Sequence, residues 1–250
     1  MNLSRNNNAL DIQDVTKSFD GACVLDSLSF GVPMHRVVAL LGQSGCGKTT
    51  LLNIISGISA PDHGHILLQG KDITSTPGYV SYMQQDDLLL PWKRLIDNIA
   101  LPLVIKGETT VEARAIVKPY LPLFGLDNHT FAYPWELSGG MRQRAALLRT
   151  YICSKECIIL DEPFGALDVI TRSAMQEWLL SVVDELKPSV LFVTHDVQEA
   201  LLLADTIVIM AGHPAHITDT IHSPVPREER KALLHSATFS DIRQRIWDAL

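Results

Sequence analysis

The stretch Gly42-Gln43-Ser44-Gly45-Cys46-Gly47-Lys48-Thr49-Thr50 follows the apolar run Val37-Val38-Ala39-Leu40-Leu41 and runs on into Leu51, Leu52, Ile54 and Ile55. It fits the pattern G-x-x-x-x-G-K-[ST], in which a strand ends in a glycine-rich loop that turns into a helix. Gly42, Gly45 and Gly47 let the backbone take dihedrals that a Cβ forbids, so successive N–H groups can converge on phosphate oxygens. The following helix aims its positive dipole end at the same anion. Lys48 is placed to reach the terminal phosphates, and the Thr49 hydroxyl to ligate Mg²⁺. The bland alternative is a glycine-rich turn that binds nothing; the strand before this stretch and the apolar helix after it argue against that. The sequence therefore implies a nucleoside triphosphate site.

The flanking patterns set the fold. Residues 10 to 36 alternate (Leu10, Ile12, Val15; Val24, Leu25, Leu28, Phe30) about Asp20-Gly21, as half-buried strands do. His65–Gln69 and Tyr79–Met83 continue the strand-like pattern. Past Gln84-Gln85-Asp86-Asp87-Leu88-Leu89-Leu90-Pro91-Trp92 the period changes. Leu95, Ile96, Ile99, Ala100 and Leu103 recur near 3.6, and Val111–Phe124 repeats this, with Pro102, Pro119 and Pro122 expected to break the helices into short units. Cys157–Leu160, Val190–Val193 and Thr206–Met210 read as short buried strands. Between them lie a helical stripe of Met175, Trp178, Leu179, Val182, Val183 and Leu186 and a second helix, Val197–Leu203. Strands alternating with helices predict a parallel sheet with ligand sites at the carboxyl ends of its strands, where residues 42–50, 161–162 and 195 all fall. The expected class is α/β: a P-loop nucleoside triphosphatase core with a mainly parallel sheet, an N-terminal antiparallel β subdomain and an inserted helical subdomain. Residues 1–85 and 153–212 form the core with its antiparallel part, 86–152 the helical subdomain, and 213–250 a C-terminal tail. The tail, with Pro214, Pro224 and Pro226, reads as a linker to an amphipathic end, Ile242–Leu250, and carries no chemistry of its own.

Bulk properties narrow the partners. A chain of 250 residues with 46% hydrophobic and 20% charged positions can bury a substantial core and reads as globular. A net charge of -7 argues against a general nucleic-acid surface, which needs an excess of Lys and Arg. Cys23, Cys46, Cys153 and Cys157 show no paired metal-ligand spacing, and a disulfide at Cys46 would obstruct the phosphate loop, so a reducing compartment is expected. Cys153 and Cys157 read as small buried apolar residues. The amino-terminal MNLSRNNNALDIQ lacks the apolar centre of a signal peptide. No run reaches the roughly 18–20 apolar residues that a bilayer helix needs; the nearest, Ala200–Met210, is broken by Asp205.

A hydrolytic nucleotide site needs a held cation, a group that activates water and a sensor of the terminal phosphate. Asp161, at the end of the apolar run Cys157–Leu160, is suited to hold Mg²⁺ through its water shell, and the adjacent Glu162 to act as general base. His195 follows a strand and presents an N–H donor in either tautomer, enough to meet a γ-phosphate oxygen. Phe19, 23 residues before Gly42, reads equally as a base-stacking aromatic or a core or edge residue. Leu137-Ser138-Gly139-Gly140-Met141-Arg142-Gln143-Arg144 offers a second anion cradle, with Ser138 as N-cap and the amides of Gly139 and Gly140 exposed at a helix start. One γ-phosphate does not require two helix-end cradles in one chain. Two copies facing each other, each closing on the other's ATP, is the economical solution.

GQSGCGKTT, LSGGMRQR, CIILDEP, FGALD and VTHD, in that order, resemble the ATP-binding subunit of an ABC transporter, from about Leu10 to Gly212. The resemblance implies a RecA-like core. It also implies that Phe19 stacks on adenine, and that Gly42, Gln43, Ser44, Gly45, Cys46, Gly47, Lys48, Thr49 and Thr50 bind the phosphates. Asp161, with Thr49 and Gln85, would hold Mg²⁺; Glu162 would be the catalytic base, assisted by Lys48, Gln85 and His195. Ser138, Gly139 and Gly140 would contact ATP in trans, and Asp168 would be the D-loop residue. Of the adjacent Gln84 and Gln85, taking Tyr82-Met83 as the strand end favours Gln85 as the Q-loop residue. Met141 stands where many members have glutamine. Asp87-Leu-Leu-Leu-Pro-Trp92, followed by Asp97-Asn98, is similar to importers of nitrate, sulfonates, taurine, bicarbonate or pyrimidine precursors. This implies an ATP-hydrolysing homodimer on the cytoplasmic face of the membrane, beneath separate permease subunits fed by an extracytoplasmic solute-binding protein, with Leu88–Trp92 as the exposed apolar docking strip. Two other readings remain at this level: a soluble ABC-type ATPase acting on a non-membrane partner, and a P-loop small-molecule kinase, which would have no use for Ser138–Gly140.

Overall fold

Asp20 and Gly21 both adopt left-handed φ, 49° and 81°. A two-residue hairpin turn of the primed type demands this at both central positions, and Asp-Gly supplies it cheaply. The turn joins β1 (Asn8–Phe19) to β2 (Ala22–Pro33), with Phe19 paired to Ala22. The computed structural model describes residues 7–154, 156–165, 167–234 and 236–250, in two compact units: residues up to Val80 together with Pro188–Leu250, and Ser81–Lys187.

In the first unit, β4 (His63–Leu68) pairs antiparallel with β1, and β5 (Lys71–Asp72) with β4, giving the order β2-β1-β4-β5. Leu10, Ile12, Val15, Leu25 and Leu28 are buried, as their alternation predicts. A second group of strands centres on β3 (Val37–Gly42), every residue of which is buried. It runs parallel to β8 (Ser189–Thr194) on one side and β9 (Thr206–Ala211) on the other. A strand with neighbours on both edges and cover on both faces reads as one unbroken apolar run, which explains Val37–Leu41. Helix α1 (Lys48–Ile55) follows the loop after β3, and α6 (Val197–Leu203) follows β8.

Residues beyond Gly212 depart from the linker reading. They form β10 (His216–His222), antiparallel to β9, then α7 (Arg227–Leu233) and α8 (Ala237–Ala249). Asp205, just before β9, ties this segment down. It accepts from the Val37 amide at 3.0 Å, from Arg227 Nε at 3.1 Å and Arg227 Nη2, and from Arg230 Nη2 at 2.9 Å. Burial works against the Asp205 charge, but Arg227, the Val37 amide and Arg230 together outweigh it and hold the carboxyl below its ordinary value.

In the second unit, β6 (Ser81–Met83) runs parallel to β7 (Cys157–Asp161), Tyr82 level with Ile159 and Met83 with Leu160. The helices are α2 (Leu95–Ile105), α3 (Thr110–Val117), α4 (Gly139–Cys153) and α5 (Val169–Leu186). In α3, Thr109 and Glu112 form a reciprocal capping box. Pro119 stops α3 in a 3-10 turn, Lys118–Tyr120, as expected. Pro102 does not: it lies inside α2. Close to the helix end it forfeits one backbone bond, while its own carbonyl still accepts from Lys106 at 3.1 Å. Fully buried Asn98 shapes the loop before α2. Its Oδ1 accepts from the Leu90 amide at 2.7 Å, and its Nδ2 donates to the carbonyls of Leu90, Lys93 and Arg94 at 3.1, 3.0 and 3.3 Å. Leu88 and Trp92 stay exposed on that loop. Among the described residues no helix is long and apolar enough to cross a membrane. Residues 153–187, counted with the core in the sequence reading, cluster with the helices of this unit.

Arg230 is only 3% exposed, so removing its carboxylate leaves a buried cation without its charged partner. Asp205→Asn is expected to cost about 3 kcal/mol in urea unfolding at neutral pH. Because the folded pKa is depressed, this stabilisation is complete above the unfolded value near 4 and is lost as pH falls through the folded value. The gap between wild type and variant should therefore close in acid; a loss under about 1 kcal/mol at pH 7 would remove Asp205 from this role.

Candidate nucleotide site

The loop Gly42–Gly47 leaves the carboxyl end of β3 and closes on α1. Gly47, the N-cap of α1, has φ 101° and no side-chain cap, so the first amides of the helix are left for a ligand. Gly42 is held by contact: a Cβ there would lie 2.6 Å from the Met210 carbonyl oxygen and 2.9 Å from Cys46 Sγ. Lys48 is buried, and its Nζ donates to the carbonyls of Gly42 and Gln43 at 2.8 and 2.7 Å. Gln43, Ser44, Gly45 and Thr49 are exposed, whereas Cys46 is buried and free. A cradle of open amides around one cation suits a polyphosphate; the Thr49 hydroxyl here and, in the second unit, the Asp161 carboxylate are each hard oxygen donors of the kind Mg²⁺ takes.

Register places His195 in the same unit. Thr194, the last residue of β8, is level with Leu41, so His195 and Gly42 leave adjacent strand ends together. The turn holding His195 is pinned from below: Thr194 Oγ1 donates to Glu199 Oε2 at 2.7 Å and accepts from the Asp196 amide at 3.0 Å, while Asp196 caps α6. Glu199 is 5% exposed. Sequence reasoning missed this support, since a Glu four residues after a His on a helix reads as an ordinary polar face. Phe19 ends β1, 47% exposed, with Lys17 Nζ 5.4 Å from its ring centre, so the buried-core reading is excluded.

In the second unit, the ends of β6 and β7 gather another polar set. Asp161 closes β7 and accepts at Oδ2 from the Tyr82 hydroxyl at 2.9 Å. Burial first, then the Asp161 charge and hydrogen bond, push the Tyr82 phenol above its ordinary value. Glu162 takes a left-handed φ of 44°, unusual for a non-glycine residue, in a turn closed by the Gly165 amide donating to its carbonyl at 3.0 Å. Gly165 is flanked on both sides: a Cβ there would lie 3.4 Å from Glu162 Oε2 and 3.6 Å from Gln85 Nε2. The structure thus brings Gln85 to the Glu162 turn.

Ser138 caps α4, its Oγ accepting from the Met141 amide at 3.3 Å. Gly139 and Gly140 have no positive φ, and a Cβ on either would meet nothing nearer than 3.9 and 3.5 Å. Nothing in the described chain requires glycine at these two positions. Asp168 caps α5, accepting from the Ile170 and Thr171 amides at 3.1 and 3.0 Å, and the Thr171 hydrogen bonds hold its carboxyl low. Val169 and Ile170 beside it are 79% and 84% exposed.

Residues 25–165 match the family model described as ABC transporter. The chain is 41% identical to the formylaminopyrimidine import ATP-binding protein of Halalkalibacterium halodurans, over 83% of this chain and 81% of that protein. It is 40% identical to the nitrate import ATP-binding protein of Synechococcus elongatus, over 90% and 84%. With the taurine import ATP-binding protein of Rhizobium johnstonii it shares 38% identity, over 89% and 87%. A solved structure of a protein from Clostridium perfringens that is part of an ABC transporter complex superposes with a TM-score of 0.79 at 22% identity, covering 95% of this chain and 99% of that one. A bacterial ABC transporter cassette in a dimeric structure gives 0.73 at 24%, covering 87% and 100%. The glycine loop, the Asp-Glu strand end and the serine-capped glycine pair therefore stand in a chain that belongs to the ABC transporter family.

Proposed function

We propose that this chain is the ATP-hydrolysing subunit of an ABC importer, working as a homodimer on the cytoplasmic face of the membrane to drive uptake of a small solute of the sulfonate, nitrate, bicarbonate or pyrimidine-precursor class. The carrying observation is the pair of unexplained glycines. Gly139 and Gly140 lie at a capped helix start with ordinary backbone angles, and a Cβ on either would make only ordinary contacts within the chain, which supports a demand for glycine that comes from outside it. A second copy presenting its own ATP is the simplest source. The exposed Val169 and Ile170 next to Asp168 support the same reading, because a pairing surface would cover them.

In this reading Gly42–Thr50 and Lys48 hold the phosphates, and Phe19 stacks on the base. Thr49, Asp161 and Gln85 hold Mg²⁺, which when bound neutralises charge on the β- and γ-phosphates. Glu162 takes a proton from the attacking water, Gln85 helps place that water, and His195 donates to the γ-phosphate. Residues 86–152 form the lobe that meets the permease, with Leu88–Trp92 as its apolar contact. ATP closes the dimer, the Gln85 segment passes that closure to the permease, and hydrolysis reopens it. An extracytoplasmic solute-binding protein would present the solute on the far side. The import names of the relatives support the direction of transport.

Glu162→Gln should bind ATP and dimerise at concentrations where wild type turns over, with hydrolysis reduced about 10²-fold or more. Analytical ultracentrifugation with ATP and a phosphate-release assay read the two effects, and wild-type turnover in the variant would remove the base from Glu162. Trp92→Ser should leave ATPase activity of the isolated subunit unchanged and reduce co-purification with the permease. Undiminished assembly would place the docking contact elsewhere.

A further inference from the structure

Tyr82 occupies the middle of the short strand β6, level with Ile159 of β7, and Asp161 lies two residues further along β7 on the same side of the pleat. Strand side chains lean along the strand, and a tyrosine carries its hydroxyl at the end of a long rigid ring. Here the ring is half-buried and the hydroxyl donates to Asp161 Oδ2 at 2.9 Å. The flanking residues Ser81 and Met83 are buried, so β6 is seated from the opposite face and the ring has little freedom to swing away.

The donor type matters. A lysine or arginine at this place would orient the carboxylate but also compensate the negative charge that attracts a divalent cation. A neutral hydroxyl fixes rotation about the Cβ–Cγ bond and leaves the charge in place. Groups that orient a cation-holding carboxylate from behind are known to set affinity as strongly as some direct ligands. Deleting such a hydroxyl frees the carboxylate to turn, so part of the binding energy must then be spent on ordering it.

We propose that Tyr82 is a positioning residue for the cation: its hydroxyl holds the Asp161 carboxylate in the rotation that receives the divalent ion bound with ATP. This rests on the reading of Asp161 as the cation-holding carboxylate. It adds a residue outside the phosphate loop, the Asp-Glu strand end and the serine-glycine-glycine turn. Tyr82 touches neither nucleotide nor water in this role; it acts through Asp161 alone.

The test measures Mn²⁺ affinity by loss of the free-ion paramagnetic resonance signal, with protein in excess over a non-hydrolysable ATP analogue. Tyr82→Phe keeps the ring and removes only the hydroxyl. It should weaken Mn²⁺ binding about tenfold, with metal-free analogue affinity and thermal midpoint unchanged. The Mg²⁺ concentration giving half-maximal ATPase activity should rise by a similar factor, with turnover at saturating Mg²⁺ close to wild type, a split that a merely structural role would not produce. Tyr82→Met, apolar and of comparable bulk, decides the matter if the phenylalanine variant does not fold. Unchanged Mn²⁺ affinity in the Tyr82 variants, with affinity lost in Asp161→Asn, would overturn the role of Tyr82 and leave that of Asp161. Unchanged affinity in Asp161→Asn would overturn the reading of Asp161, and the proposal with it.

Discussion

An ammonium group cannot leave water unless oxygen atoms receive its protons. Lys48 meets that condition inside its own loop, where the carbonyls of Gly42 and Gln43 lie 2.8 and 2.7 Å from Nζ. Much of the first unit follows from this arrangement. The carbonyls can converge only if the chain turns tightly after β3, and Gly42 can make the turn only without a Cβ, because Met210 of the neighbouring strand is already there. Strand pairing, loop closure and lysine burial are thus one constraint viewed from three sides. A phosphate offers the same ammonium stronger acceptors than two neutral carbonyls, so the loop is built around a charge whose best partner comes from solution.

In the second unit, neutral donors meet carboxylates at strand and helix ends. Asp161 is met by a phenol, Glu162 by its own strained turn, and Asp168 by helix amides. Contrast Asp205, whose partners include two guanidinium groups and whose part is structural: it binds the segment after β9 to the start of β3. Asp205 thus takes two guanidinium groups where it joins distant segments of the chain, whereas Asp161 takes a phenol and Asp168 two helix amides.

The phosphate loop, the strand–helix alternation and the Asp-Glu strand end were legible because each is a local pattern with one physical reading. Hairpin geometry at Asp20-Gly21 was legible for the same reason. What stayed hidden depends on contacts distant in sequence. The segment after Gly212 looked like a linker because Pro214, Pro224 and Pro226 punctuate it and β10 buries only Ile221. Its anchorage comes from Asp205 meeting Arg227 and Arg230, which no periodicity announces. Pro102 was expected to end α2, yet position near the helix terminus makes its single lost bond tolerable. Glu199 beneath the His195 turn and Tyr82 behind Asp161 are invisible to motif reasoning, since neither forms part of a spacing pattern.

Asn98 gives the second unit a mechanical property. One buried amide holds the loop from Leu90 to Arg94 by four hydrogen bonds, and Arg149 adds two more by donating to the carbonyls of Asp87 and Leu88 at 2.6 and 2.8 Å. A segment tied at so many points has little compliance of its own. A push on the indole of Trp92 would therefore be carried into α2 with little absorbed by the loop. On the proposed reading of this strip as the permease contact, it would serve as the rigid end of a lever, valuable for stiffness as much as for adhesion.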